Sequence, residues 1–268
     1  MVRKPYDSDV TDVQWLLLEP LVPAAKTGGR PRSVDLREIC NGIFYVLRAG
    51  CAWRLLPHDL PPWPTVYGYF RAWQQAGVWE TFNAALRDAV REQVDRAAEP
   101  SAAIMDSQSV KSARGAGERG FDAAKHINGR KRHILVDVLG LLLEVIVTKA
   151  DVPERAGGQL LLQRASEHFL HCLALIWADG GYSGAPFSEW VAENFGWVLE
   201  IVKRSDDAQG FVVLPRRWVV ERTFGWLMHF RRLCRDYEGL TETSEAWIYA
   251  AMVKIMLQRL AADPAIYM

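Results

Sequence analysis

The chain has 268 residues, half of them apolar, including 11 tryptophans. That excludes global disorder and allows one large domain or two modest ones. Thirty-two Lys and Arg balance 32 Asp and Glu, so net charge alone does not mark a nucleic-acid binder. The polar stretch Met1 to Asp12 does not resemble a signal peptide. The most apolar run, Ile134 to Val147, contains Asp137, Gly140 and Glu144 and is too short to span a bilayer. Cys40, Cys51, Cys172 and Cys234 form no C-x-x-C pair. They read as reduced thiols of a cytosolic protein, and not as a zinc site.

The first hundred residues read as helices. Val10 to Leu21 has helical apolar spacing and stops at Pro23, and a basic loop with Arg30 and Arg32 follows. Ser33 is placed to cap a helix through Ile39, Ile43, Phe44 and Leu47, with Gly50 just past its end. Four prolines between Pro57 and Pro64 exclude helix interior there. Thr65 to Gln75 and Trp79 to Val94 are further amphipathic segments. Short helices with marked turns suit a helix-turn-helix domain or a plain bundle, and the pattern does not choose between them.

The expected division is a helical DNA-binding domain over 1–94, a linker over 95–101 and a second domain over 102–268. Ala102 to Asp106 reads as a buried strand ending in a carboxylate, and Ser107 to Gly129 as a mobile basic loop. Arg132 to Val138 and Leu141 to Lys149 flank Leu139-Gly140 as a hairpin. Then come a helix over Glu154 to Phe169, a strand from Leu173 to Ala178 ending at Asp179, a helix over Ala185 to Asn194 and a strand over Trp197 to Lys203. Pro215 opens a helix reaching Leu233, and a last helix runs from Glu242 to Leu260. A hairpin followed by alternating helices and strands predicts a mixed sheet covered by helices, an α/β fold.

Charge is local. Lys111 to His133 holds seven Lys and Arg against two acids, and Lys203 to Arg235 holds eight against three. Such patches respond to a phosphate backbone. Asp106 and Asp179 each sit at a strand end, and neighbouring strands bring their ends together. Two carboxylates facing one cleft repel each other, which a divalent cation relieves; oxygen ligands suit magnesium or manganese. A third acid, Glu221, lies in the helix after Pro215 with Arg217 one turn before it, Gly225 one turn after it and Arg232 further along that face. The alternative is a solvated helix face with ordinary ion pairs. Arg222 points about 100° away from Glu221 on an ideal helix. Asp137, Glu144 and Asp151 read as surface or turn acids, and His126 and His133 as exposed residues beside the basic loop.

Several motifs stand together in order. They are Trp53-Arg54-Leu55-Leu56-Pro57, Pro61-Pro62-Trp63-Pro64-Thr65-Val66-Tyr67, Asp106-Ser107-Gln108-Ser109-Val110-Lys111, Gly129-Arg130-Lys131-Arg132-His133, and Ala178-Asp179-Gly180-Gly181-Tyr182. Arg216 to Phe224, Arg231-Arg232-Leu233 and Asp236-Tyr237-Glu238 close the series. In these the chain resembles a bacterial insertion-sequence transposase of the DDE type, in the IS-five-like group. The resemblance implies a ribonuclease-H-like catalytic domain, with Asp106, Asp179 and Glu221 as catalytic residues and ligands of Mg2+ or Mn2+, two ions in all. It implies binding of terminal inverted repeats in double-stranded DNA, cleavage there, and transfer of the 3′ ends into target DNA.

The expected DNA contacts are Arg30, Arg32, Lys111, Arg130, Lys131, Arg132, Arg217, Arg222, Arg231 and Arg232. The expected assembly on DNA is a homodimer, in the bacterial cytoplasm at the nucleoid and not at a membrane. Related families carry a Tyr, Arg, Glu, Lys signature around the last acid. Arg217 and Glu221 match it, whereas Leu214 and Met228 stand at the Tyr and Lys positions. Arg231 or Arg232 is placed to supply the missing charge. A metal nuclease or junction resolvase on the same fold, or a DNA-binding regulator without catalysis, would share much of this pattern.

Overall fold

The structure, a computed structural model, describes residues 3–25, 33–202 and 217–262. Arg30, Arg32, Leu214 and Pro215 lie outside these residues, as does the side chain of Arg217. Four helices come first: α1 (Asp12–Leu18), α2 (Leu36–Ala49), α3 (Trp63–Gln75) and α4 (Val78–Gln93). Then follow β1 (Ala102–Lys111), β2 (Gly120–Asp122), β3 (Ile127–Asp137), β4 (Leu142–Lys149), α5 (Glu154–Phe169), β5 (Leu175–Ala178), α6 (Ala185–Phe195) and β6 (Val198–Ile201). Helices α7 (Arg217–Met228) and α8 (Thr241–Ala261) end the described chain.

Local chemistry explains several boundaries. Thr11 and Gln14 form a capping box that starts α1. Asp35, not Ser33, caps α2: its carboxylate accepts from the backbone of Arg37 at 2.8 Å. Such a cap contributes about 1 kcal/mol. Gly50, left-handed at φ 67°, ends that helix. Pro64 stands in the first turn of α3, where its missing N–H costs nothing.

Strand β1 runs five residues past Asp106, so the expected loop from Ser107 is instead half strand. It pairs antiparallel with β3 from Ala103↔Asp137 to Lys111↔Gly129. The polar Ser-Gln-Ser composition hid this, because its alternation is buried by neighbouring strands and not by apolar content. Strand β4 pairs with β3 as the expected hairpin, and β2 takes the remaining length of the same β3 edge. On the other side β5 joins β1 in parallel, and β6 joins β5 in parallel. The order is therefore β3, β1, β5, β6, with β4 and β2 outside β3. This mixed sheet, flanked by helices, agrees with the expected fold.

Side chains alternate across the strands, and the two faces feed two cores. Ala103, Met105, Leu135, Leu143, Ile176 and Ala178 face α5 and α6. Ile104, Ile134, Val136, Val145 and Trp177 face a larger core shared by α7, α8 and the N-terminal helices. The linker between α4 and β1 therefore does not separate two cores. Trp247 of α8 stacks on Phe70 of α3 at 4.2 Å between ring centroids and on Trp53 at 5.4 Å. Asn83 of α4 donates to the carbonyl of Leu142 at 2.8 Å. Lys254 of α8 donates to Asp9 and to Gln14.

Three expected surface residues are interior. Asp137 is fully buried: one oxygen accepts from the backbone of Leu139 and Leu141, and the other pairs with Arg91. Glu144 is buried and accepts from Tyr249 at 2.8 Å and Arg164 at 3.1 Å. His133 lies beneath α5 beside Thr148, and burial lowers its pKa to about 3, so the ring is neutral. A Cβ at Gly157 would collide with that ring, which is why a glycine stands there. His126 is exposed.

Candidate active site

The parallel ladder between β1 and β5 sets the centre of the site. Its last paired residues are Ile104 and Trp177. Asp106 lies two residues further along β1, and Asp179 lies two residues on, one past the end of β5, so both follow closely on the last pair of the ladder. In a parallel pair, side chains abreast point to the same face. Ile104 and Trp177 belong to the core that also takes Val219, Val220, Phe224 and Leu227 of α7, and α7 packs on β1. Asp106 thus belongs, by pleat, to the sheet face that α7 covers, and Asp179 stands just past β5 as the N-cap of the 180–182 turn. Glu221 is exposed on α7.

The backbone shapes both aspartates. Oδ1 of Asp106 accepts from the N–H of Ser107 at 2.7 Å. Oδ1 of Asp179 accepts from the N–H of Gly181 at 2.9 Å and caps the short turn Gly180–Tyr182. Both carboxylates are half-buried, Asp106 within β1 and Asp179 just past the end of β5. A Cβ on Gly181 would collide with Oε2 of Glu154 and lie 3.0 Å from Oδ1 of Asp179. Glycine here lets two acids from different elements approach.

Carboxylates repel at short range and converge only around a cation. The ligand atoms of Asp106, Asp179 and Glu221 do not all lie within 4.8 Å of one another. Among the described residues, the trio of potential ligand atoms that does lie within 4.8 Å is Glu99, His171 and Cys172, at the surface. The donor set still fits magnesium or manganese. Its hard carboxylate oxygens stand within β1, just past β5 and on α7, and the three acids include no histidine or thiolate.

The expected DNA contacts divide. Lys111 and Arg231 are exposed. Arg222 is partly buried, sandwiched between Trp218 at 4.3 Å and Trp226 at 4.5 Å, and donates to the carbonyl of Leu139. Arg130, Lys131, Arg132 and Arg232 are buried. Arg130 pairs with Asp236 at 3.1 Å and donates to Ser244 and to two carbonyls of the 239–240 turn. Lys131 donates to the carbonyl of Val152. Arg132 is enclosed, and burial lowers its pKa to about 10. Arg232 is held by Glu238 and the carbonyl of Cys51. The Asp236-Tyr237-Glu238 motif is thus an internal clasp for two arginines.

Two residues near the aspartates were not singled out from sequence. Glu154, in the first turn of α5, accepts from Oγ of Ser107 at 3.2 Å and lies 3.7 Å from Nζ of Lys125. Tyr182 is fully buried, and burial with the nearby carboxylates of Asp106, Glu154 and Asp179 pushes its phenol well above the usual range. A signal for Glu154 was present in the order of elements. It opens the helix that leads directly into the strand ending at Asp179.

Comparison with known proteins bears on residues 10–83 and 97–256. Residues 10–83 match a family described as transposase of IS4/5 family. Residues 97–256 match the transposase DDE domain family. The chain is also 34% identical over 120 residues to the insertion element IS402 uncharacterized 16.2 kDa protein of Burkholderia cepacia, covering 41% of this chain and 77% of that protein. The mixed sheet with its helical layers is then the ribonuclease-H-like fold of such domains. By these matches the chain belongs to the DDE transposases of the IS4/5 insertion-sequence family.

Proposed function

We propose that this transposase binds the terminal inverted repeats of its element, cleaves the DNA there, and joins the freed 3′ ends to target DNA. The reading is supported by the β1–β5 register, whose last pair, Ile104 and Trp177, stands two residues before Asp106 and Asp179, inside a chain of this family. Asp106 and Asp179, with Glu221 from α7, would hold two Mg2+ or Mn2+ ions. When bound, such a pair activates an attacking oxygen and stabilises the leaving one. The aspartates' part is to offer negative charge from within β1 and from just past β5, each with one oxygen held by a backbone N–H. No covalent protein–DNA intermediate is required, so no nucleophilic side chain is assigned.

Lys111, Arg217, Arg222 and Arg231 are the side chains proposed to position phosphates. The segment 1–94, with Arg30 and Arg32, is proposed to recognise the element's ends while packed on the catalytic sheet. The acting form on DNA is proposed to be a homodimer, working in the bacterial cytoplasm at the nucleoid. No described helix is long and apolar enough to cross a membrane.

A strand-joining assay with inverted-repeat DNA, target DNA and Mg2+ tests the reading. Wild type should cut and join, whereas Asp106→Asn and Asp179→Asn should bind DNA but do neither. Cutting without joining would point to a nuclease of the same fold. Sequence-specific binding by wild type with no cutting would point to a regulator. Near wild-type cleavage by either variant would remove that aspartate from the site.

A further inference from the structure

Glu221 belongs to α7, in the helical layer with α8, but a second glutamate comes from the opposite layer. Glu154 stands in the first turn of α5, which packs with α6 on the other face of the sheet. Its two oxygens have different surroundings. Oε1 accepts from Ser107, the residue after Asp106, at 3.2 Å and has Lys125 at 3.7 Å. Oε2 is turned to Gly181, across whose missing side chain stands Oδ1 of Asp179.

A separate observation points to a ligand. Tyr182 is fully buried, yet its hydroxyl completes no hydrogen bond, although it approaches Ser107. The carboxylates of Asp106, Glu154 and Asp179 all act on it. A buried hydroxyl without a partner costs about 1–3 kcal/mol, so an acceptor close to these acids would repay it. A carboxylate cluster with a spare O–H donor beside it suits a hydrated hard cation, whose water accepts from that hydroxyl while the acids balance its charge.

We infer that Glu154 is a fourth carboxylate of the metal site, binding the divalent ion on the Asp179 side, with Tyr182 donating to that ion's water. This rests on the reading of Asp106 and Asp179 as metal ligands. It divides the site between two helical layers, with Glu221 serving one side of the aspartate pair and Glu154 the other.

The test uses the full chain and Mn2+ alone, with free Mn2+ followed by electron paramagnetic resonance. Glu154→Gln should weaken Mn2+ binding roughly tenfold while leaving affinity for inverted-repeat DNA in metal-free buffer unchanged. Ser107→Ala, which keeps the carboxylate, should bind Mn2+ almost as wild type does. Asp106→Asn is the control for the underlying reading. If Asp106→Asn loses Mn2+ and Glu154→Gln does not, the inference about Glu154 is overturned and the aspartate site stands. If Asp106→Asn binds like wild type, the aspartate reading itself fails. Equal loss in Ser107→Ala and Glu154→Gln would also overturn the inference, because it would mark Glu154 as a packing anchor. Should Glu154→Gln not fold, Glu154→Asp takes its place, since the shorter acid retracts from the ion and should also weaken binding.

Discussion

Arg91 of α4 and Asp137 at the end of β3 form an ion pair with both side chains buried, and it ties the N-terminal helices to the catalytic sheet. Asp137 also holds the β3–β4 turn through Leu139 and Leu141. Removing one partner strands a buried charge, which costs about 3–5 kcal/mol. Arg91→Ala should therefore lower the unfolding free energy by that order. Because the core is continuous across the linker, helical and sheet signals should fall in one transition during denaturant unfolding. Two well-separated transitions would contradict the shared core.

Neighbouring arginines should behave oppositely. Arg231 is exposed, whereas Arg232 is buried against Glu238. Arg231→Ala should weaken binding to any DNA and make the salt dependence shallower by about one counterion, with little change in stability. Arg232→Ala should cost about 3–5 kcal/mol of stability and leave the salt slope as in wild type. DNA affinities at several salt concentrations, beside unfolding curves, separate the two; a changed slope for Arg232→Ala would contradict its enclosed position.

Burial pushes the Glu245 carboxyl up to about 7, against the opposing pull of Arg164. The folded protein then holds this proton more tightly than the unfolded chain does. The group's contribution to stability is full below the ordinary carboxylate range and is lost as pH rises towards about 7. Glu245→Gln, which cannot titrate, should show a flatter dependence of Tm on pH between roughly 4.5 and 7. Identical pH profiles for the two proteins would show that Glu245 is not perturbed.

Gly157 is the point where α5 crosses His133, and a Cβ there would meet the imidazole. Gly157→Ala should destabilise by about 1–3 kcal/mol through overpacking. A gain in stability, as helix propensity alone would predict, would show that the ring can move aside. A calorimetric Tm for this single variant decides it.

The sequence by itself determined the element order, the β3–β4 hairpin, the full extent of α5 and the placing of Asp106, Asp179 and Glu221 on two strands and a helix. Apolar periodicity, turn residues and capping are local, and they act within a few residues of chain. The tertiary structure decided what local patterns do not encode: which charged residues are interior. Arg130, Arg132, Arg232, Asp137 and Glu144 resemble surface residues by composition, yet all are buried. Their partners lie in distant segments: Arg130 meets Asp236, and Asp137 meets Arg91. For Glu154 the order of elements gave its place at the start of α5, and packing of α5 on β3, β4 and the 180–182 turn decided that it meets Ser107 beside Asp106. Contacts of this kind depend on long-range packing and register, and a single residue pattern carries no sign of them.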